Sequence, residues 1–541
     1  MSRKFGERVF YLILIGSLMA AAGSAAKNRS DRTVNNSPRK ISRSSLEDKI
    51  RGGWAGQMIG VSYGAPTEFR SNGKIIEGDL NGYLDWTAQR INNAITQDDL
   101  YVEMTFADVM DRIGLDATTD QYGEAFKNSK YSLWHANASA RRWLNQGIKA
   151  PWSGHPKYNI HANDIDFQIE SDFIGMMTPG LPREANKYAE RVGRVMNYGD
   201  GLYGGMFVSG MYAAAFFESD PRKVVEAGLA SIPGGSGYAK LIRRLLDWSE
   251  RHPQDPSDEA WKNAWRMLKD EWDKDDPCID GALSDFNIDA RLNGGYVALG
   301  LLYGKGDFGK TLEISTRAGQ DSDCNPSSAG GVLGVMLGYS AIPDRWKLGL
   351  AEIADKKFDY TNYSFNTITA STLGRALKVI ELAGGKVSGD EITIPHQSPK
   401  PPKLEQWDPG IPDKLIKFDD SAWRWKGAWY DEIGGRDKKK ITGKSSAGAG
   451  AEVTISFDGV AFALVGPLSQ QGGRADVLLD GKKIGQFDSY IVERTNDNDL
   501  WHIYGLKPGN HTVSVVTRND ADPRSKGKKI IIERAIVYRA R

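Results

Sequence analysis

Between Leu46 and about Ala383, apolar residues recur at the three- and four-residue intervals of a helix. The clearest runs are Tyr101 to Ile113, Gly204 to Glu218, Tyr238 to His252, Asp258 to Trp272 and Gly294 to Tyr303, with Gly and Pro loops between them. Strand-like alternation is scarce, which predicts an all-α domain over residues 45–385. After Ala383 the pattern changes. Pro395, Pro399, Pro401, Pro402 and Pro412 predict a stiff, partly extended linker over 386–416. From about Lys417 the period becomes two. Val453, Ile455 and Phe457 alternate in one strand, and Val477 and Leu479 lead into Asp480-Gly481, a strong hairpin signal. Pro508-Gly509 turns into the strand Thr512 to Val516, and Ile530 to Tyr538 makes a last one. These short strands predict a β-sandwich over 417–541. The expected fold is multidomain: an all-α domain followed by an all-β, jelly-roll-like sandwich.

The N-terminus has its own pattern. Arg3, Lys4 and Arg8 precede the apolar run Val9 to Gly23 and the small residues Ser24-Ala25-Ala26. That order is a secretory signal, expected over 1–26, and the run is short for a membrane span. The expectation is an exported protein, periplasmic or extracellular, with no stable membrane insertion after cleavage. Residues 27–44 are polar, rich in Ser, Asn and Arg, and expected to be flexible.

Composition changes this picture in three places. A formal net charge of +1 over 541 residues gives no electrostatic case for nucleic acid as a partner. Only Cys278 and Cys324 are present, so no disulfide framework holds the fold; one pairing is open, and a free buried thiol is preferred at Cys324. Fifteen Trp and twenty-one Tyr suit sugar faces and β-rich cores equally. Trp423, Trp425, Trp429, Tyr490 and Trp501 either stack on a pyranose or fill the sandwich.

Candidate chemistry concentrates in the stretch Ala318-Gly319-Gln320-Asp321-Ser322-Asp323-Cys324-Asn325. Two carboxylates two positions apart on extended backbone point the same way. Asn325-Pro326 reads as a helix start, and Gly330, Gly334 and Gly338 give that helix one smooth face. Aimed into a pocket, the two acids would make a cation site of oxygen ligands; otherwise they are a cap and a turn. A second acidic helix start is Thr96-Gln97-Asp98-Asp99, with Thr96 as the cap. A third segment, Gly52 to Gly60, is a Gly-rich helix running on to Glu68.

Together these three segments resemble the ADP-ribosylglycohydrolase family over roughly residues 46–380. That family has a Gly-rich first helix leading to a Glu, a Thr-Asp-Asp motif and a late Asp-x-Asp-Thr/Ser loop. Ile342-Pro343-Asp344-Arg345-Trp346 is similar to its Ile-Pro-x-x-Trp close. The resemblance implies an all-α hydrolase with one or two Mg2+ or Mn2+ ions on Asp98, Asp99, Asp321 and Asp323. It also implies Glu68 near the substrate and Asp321 in catalysis. Three positions depart from the pattern: Gln57 for Asp, Gln97 for a hydroxyl and Cys324 for Thr or Ser. A soft thiol suits Mg2+ poorly, which favours one ion over two and weakens the case for ADP-ribose. Further candidates for reading a substrate are Asn137, Glu170, Asp172, Asp200 and Asn325, with His135 and His161 for proton transfer.

The expected activity is therefore an exported metal-dependent glycosidase. Its partner would be a carbohydrate or an ADP-ribose-like small molecule. Alternatives are a catalytically silent carbohydrate-binding protein, an ADP-ribosyl-protein hydrolase and a metal phosphoesterase.

Overall fold

Helices occupy the chain from Arg43 to Leu382 and strands occupy it from Lys386 to Arg539, joined by one early strand, Arg39–Ser42. The computed structural model describes residues 37–78, 85–252, 259–434, 439–492 and 499–541. The expected signal peptide and most of the expected flexible segment lie outside the described residues. All the elements belong to one unit, Arg39–Arg541.

Three helices, Asp200–Ala215, Ala290–Gly304 and Cys324–Leu337, are buried along almost their whole length. Beyond its first turn each is apolar or small all round, so no face is left for water and the helix must lie at the centre. Around them run one-sided helices such as Pro182–Gly193, Gly237–Arg251 and Glu259–Trp272, which bury only one stripe. The opening helix, Arg43–Gly64, is capped by Ser42, whose Oγ accepts from the Ser45 amide at 3.0 Å.

The opening helix and the late helix Cys324–Leu337 lie antiparallel in backbone contact. A Cβ at Gly52, Gly56, Gly60 or Gly64 would overlap the carbonyl oxygens of Gly334, Gly330, Pro326 and Ser322 in turn. The expected smooth face is therefore used, at Gly330 and Gly334; Gly338 instead ends the helix at φ 83°.

Arg39–Ser42, inside the segment expected to be flexible, pairs antiparallel with Glu391–Ile394, inside the expected linker. The rest of that linker is laid along the helices. Arg194 bridges Glu405 at 2.6 Å, the Glu405 amide donates to Tyr203 Oη at 2.7 Å, and Arg183 Nε donates to the Ser398 carbonyl at 2.9 Å. Proline spacing set the backbone but carried no sign of these side-chain anchors.

The β region stacks a five-stranded antiparallel sheet and a four-stranded one around an apolar core. Val453, Ile455 and Phe457 point inward from Glu452–Gly459, as the alternation predicts. Asp480 and Gly481, at φ 50° and 78°, turn the hairpin between Arg474–Leu479 and Lys482–Asp488. The expected last strand divides: Ile530–Ile532 pairs in a separate three-stranded sheet, and Arg534–Arg539 joins the four-stranded one. Every residue of Ala461–Val465 is buried because both its faces are covered. Phe462 and Leu464 face the sandwich core, while Ala461, Ala463 and Val465 pack with Ile160, Ile279 and Ala282 of the helical region. Among the described residues no helix is long and apolar enough to cross a membrane.

Candidate metal centre and active site

The loop before the late helix is a tight turn and not the extended stretch the sequence suggested. Gly319 and Gln320 sit at φ 78° and 56°, and a side chain at 319 would strike the Ser71 carbonyl. Gln320 holds the turn: its Nε2 donates to the Asp285 carbonyl and its Oε1 accepts from the Asn287 amide, each at 2.9 Å. A left-handed non-glycine residue persists only where its surroundings fix it. The late helix begins at Cys324, two residues before the expected proline start, with Asp323 at its cap position. Pro326 still falls in the first turn, where a missing N–H costs nothing.

Asp98 and Asp99 open the helix Asp98–Ile113, but Thr96 does not cap it. The Thr96 hydroxyl donates to the Asn93 carbonyl at 3.0 Å, and Gln97 takes the cap position without a side-chain bond. The two acidic segments converge. One carboxylate oxygen each from Glu68, Asp321 and Asp323 lie within 4.8 Å of one another, and so do atoms of Asp99, Asp323 and Cys324. Asp323 belongs to both groups.

Burial and mutual repulsion set the electrostatics. Burial, then the charge of Asp323, pushes Asp98 up to about 6. The same two causes, with Asp98 added, lift Asp99 well above the usual carboxylate range. Burial, then Asp323 and Glu68, does the same to Asp321. Glu68 is exposed as a residue at the rim, but one of its carboxylate oxygens is turned in toward Asp321 and Asp323. Withdrawal of its carboxylate from water, reinforced by Asp323 and Asp98, pushes it up to about 8. Its placement is set by Thr67, whose hydroxyl bonds the Gly64 carbonyl at 2.7 Å and shares a hydrogen bond with Ser322 at 2.8 Å.

A deeper layer of acids lies behind these. Asp172 accepts from Ser328 Oγ at 3.5 Å, and burial pushes it up to about 7. Asn137 Nδ2 donates to Glu170 Oε1 in a short hydrogen bond, and the charges acting on Glu170 include Asp166, Asp98 and Asp99. Glu103 escaped the sequence reading. It is fully buried, taking hydrogen bonds from Gln57 Nε2 at 2.8 Å and the Phe173 amide at 2.9 Å. Its signal was available: a Glu four residues after Asp99, on the same face of the helix and flanked by Val102 and Met104. Asp166, which accepts from the Ala136 and Asn137 amides, was missed in the same way.

Two candidates make their bonds elsewhere. Asp200 accepts from the Tyr238 amide at 3.1 Å and faces Arg291, so it anchors a helix start and not the acid cluster. Asn325 donates to Asn293 Oδ1 at 3.0 Å, in a buried amide chain under the late helix. His135 and His161 group with Asp164 and Cys278, apart from the aspartates. Cys278 and Cys324 are both free and buried. In the sandwich, Trp423 and Tyr490 are buried, and Trp425, Trp429 and Trp501 pack half-buried against the core.

The donor chemistry fits a hard cation. Asp99 Oδ1, Asp321 Oδ1, Asp323 Oδ1, Asp172 Oδ1 and Glu170 Oε2 are buried without a hydrogen-bond partner. Such atoms are costly to leave alone. The Cys324 thiol, 3.3 Å from Asp99 Oδ2, donates to that carboxylate.

The family model described as ADP-ribosylglycohydrolase matches residues 42–374. A solved "ADP-ribosylglycohydrolase-related protein complex" is 16% identical, covering 62% of this chain and 98% of its own, at a TM-score of 0.37. The β region is similar to the CBM36-1 domain of a multidomain xylanase from the hindgut metagenome of Trinervitermes trinervoides (18% identity, 24% and 98% covered, TM-score 0.18). It is also similar to a family 35 carbohydrate binding module from an environmental isolate (14% identity, 24% and 99% covered, TM-score 0.18). No curated protein matches the sequence significantly.

Proposed function

From the premise that this chain belongs to the ADP-ribosylglycohydrolase family and is a hydrolase, we propose that it cleaves a glycosidic bond at the acid cluster, with Mg2+ or Mn2+ held by Asp98, Asp99, Asp321 and Asp323. The observation that carries this reading is the set of buried, unpartnered carboxylate oxygens converging from two distant helix starts. The four carboxylates suit a hard dication. Cys324 occupies Asp99 Oδ2 and is a poor partner for such an ion, which supports one ion over two. When bound, the ion supplies Lewis acidity and a more acidic water.

The residues divide the remaining work. Asp321 accepts the proton of the attacking water. Glu68, at the rim and holding its proton at neutral pH in the metal-free protein, donates to the departing atom. Asn137 and Glu170, tied together beside the cluster, read sugar hydroxyls.

The basic, apolar, small-residue order of positions 1–26 supports export, and with it a periplasmic or extracellular glycan or glycoside as substrate. The test is a screen of the full chain against oligosaccharides and ADP-ribosyl-arginine, with and without EDTA. The expected result is EDTA-sensitive release of sugar from an oligosaccharide. Cleavage of ADP-ribosyl-arginine alone would make the protein an ADP-ribosyl-protein hydrolase. Turnover indifferent to EDTA would remove the metal from the mechanism.

A further inference from the structure

A second cluster, absent from the chemistry above, lies where the helical region meets the sandwich. His161 Nδ1 is 2.8 Å from Asp164 Oδ2 and 3.1 Å from Cys278 Sγ. His135 Nδ1 stands 3.8 Å from the same Asp164 oxygen. One ligand atom from each of these four residues lies within 4.8 Å of all the others. His161, Asp164 and Cys278 are at most 1% exposed, and the His135 side chain is 15% exposed. Asp164 Oδ1 is buried without a hydrogen-bond partner.

We propose that His135, His161, Asp164 and Cys278 form a Zn2+ site that fastens the helical region where the sandwich covers it. The donor set is the reason. Two imidazoles, a thiol and one carboxylate are borderline-soft ligands that favour Zn2+ over Mg2+, in contrast to the carboxylate-dominated acid cluster. Four-coordinate zinc at ordinary bond lengths needs ligand atoms roughly 3.3–3.8 Å apart. The observed separations of 2.8, 3.1 and 3.8 Å bracket that value, so shifts of under about 1 Å would complete the tetrahedron. Charge agrees as well. One carboxylate and one thiolate neutralise a dication, so the filled site would bury no net charge.

The surroundings are those of a held site. Cys278 is set by its amide, which donates to Asp276 Oδ1 at 2.8 Å, while Asp276 Oδ2 accepts from the Ile288 amide at 3.1 Å. The His135 ring stacks on Phe286. The Asp164 backbone bridges to Asp289. His135, the most exposed of the four, marks the way in from solvent. The site would tie the start of the helix His135–Asn145, the 161–164 turn and the Cys278 loop together. That loop carries the seam: the Pro277 carbonyl accepts from Tyr538 Oη at 2.9 Å, and Ile279 packs beside Ala461, Ala463 and Ile536. On binding, Cys278 enters as a thiol and is held as a thiolate, its proton passing to buffer.

The test uses the full chain stripped with chelator and reloaded with one equivalent of Co2+, a spectroscopic substitute for Zn2+. The expected result is a thiolate-to-cobalt charge-transfer band with intense tetrahedral ligand-field absorption, both bleached by one equivalent of Zn2+. Asp321→Asn with Asp323→Asn should leave the bands intact, which separates this site from the acid cluster. Cys278→Ser should abolish the charge-transfer band, and His161→Gln should weaken Zn2+ binding at least tenfold. A wild-type protein without the band overturns the proposal, whatever the variants do. A band that survives Cys278→Ser but disappears in Cys324→Ser overturns it too, because the metal would then sit among the aspartates.

Discussion

Carboxylates at the helical centre and on the sandwich surface are handled in opposite ways. In the helical centre, Asp98, Asp99, Asp172 and Asp321 are drawn out of water beside one another, and every one is pushed above its ordinary range. On the sandwich, Asp520 and Asp522 lie at the surface beside bases. Arg518 holds Asp520 low, and Arg524 brings Asp522 down to about 2. The sandwich core is apolar and its polar rim is paired, so each local choice favours the folded state. The helical centre holds like charges together, kept there by close backbone contacts and a few side-chain hydrogen bonds. A region built against its own electrostatics in this way is where a ligand of opposite charge is expected.

The largest effect should come from breaking those backbone contacts. Gly60→Val places a branched side chain against the Pro326 carbonyl and Ser327 amide, neither of which can retreat without moving the late helix. Overpacking against a side chain costs about 1–3 kcal/mol, and a backbone neighbour gives less. The expected outcome is loss of cooperative folding in the helical half, read by circular dichroism on heating. Gly448→Ala, on an exposed sandwich turn with open space around it, should stay within about 0.5 kcal/mol of wild type. Equal behaviour of the two would remove the contrast between the halves.

Next in size is Asp321→Asn with Asp323→Asn. Replacing two buried acids that repel one another on ionising should raise the stability of the metal-free protein at neutral pH by roughly 1–2 kcal/mol. Turnover should fall on the order of 100-fold or more, with Mg2+ binding lost by calorimetry. A variant that is less stable and still active would show that these carboxylates hold the fold and not an ion.

The two halves also differ in what the sequence disclosed. Alternation at Val453, Ile455 and Phe457, and the Asp480-Gly481 turn, place sandwich residues directly, because a half-covered strand writes its environment in period two. The central helices have no such stripe, since they are covered on all sides. Glycine spacing at 330 and 334 was the readable sign of the close approach, and Asp98, Asp99, Asp321 and Asp323 were readable as two acidic helix starts. Their meeting point was not. The true partner of Asp200 could not be had without the packing, and Glu103, though marked by its spacing from Asp99, looks like an ordinary helix Glu. The division of the last strand between two sheets at Glu533 likewise depends on tertiary pairing, because both pieces have the same apolar spacing.

A smaller effect, and the sharpest on the comparison itself, is the pH dependence of the metal-free protein. Asp98 and Asp172 are raised from 3.8 to about 6 and about 7 in the folded state. Between those values the native protein keeps protons that the unfolded chain has released, so its stability is greatest at low pH and falls as pH rises toward 7. For Asp522 the sign reverses. With a folded value of about 2, its contribution is in place above 3.8 and is lost only as pH falls toward 2. From pH 5 to pH 8 in EDTA, hydrogen exchange corrected for intrinsic rates should therefore show falling protection in Cys324–Leu337. Gly509–Thr517 should lose only the smaller contribution of the His511–Asp480 pair, which goes as His511, raised by its hydrogen bond to Asp480, gives up its proton. Adding Mg2+ should flatten the first slope, because the cation takes the place of the protons. If both segments lose protection in parallel, or if Mg2+ leaves the slope unchanged, the acid cluster is not the electrostatic weak point on which its metal chemistry depends.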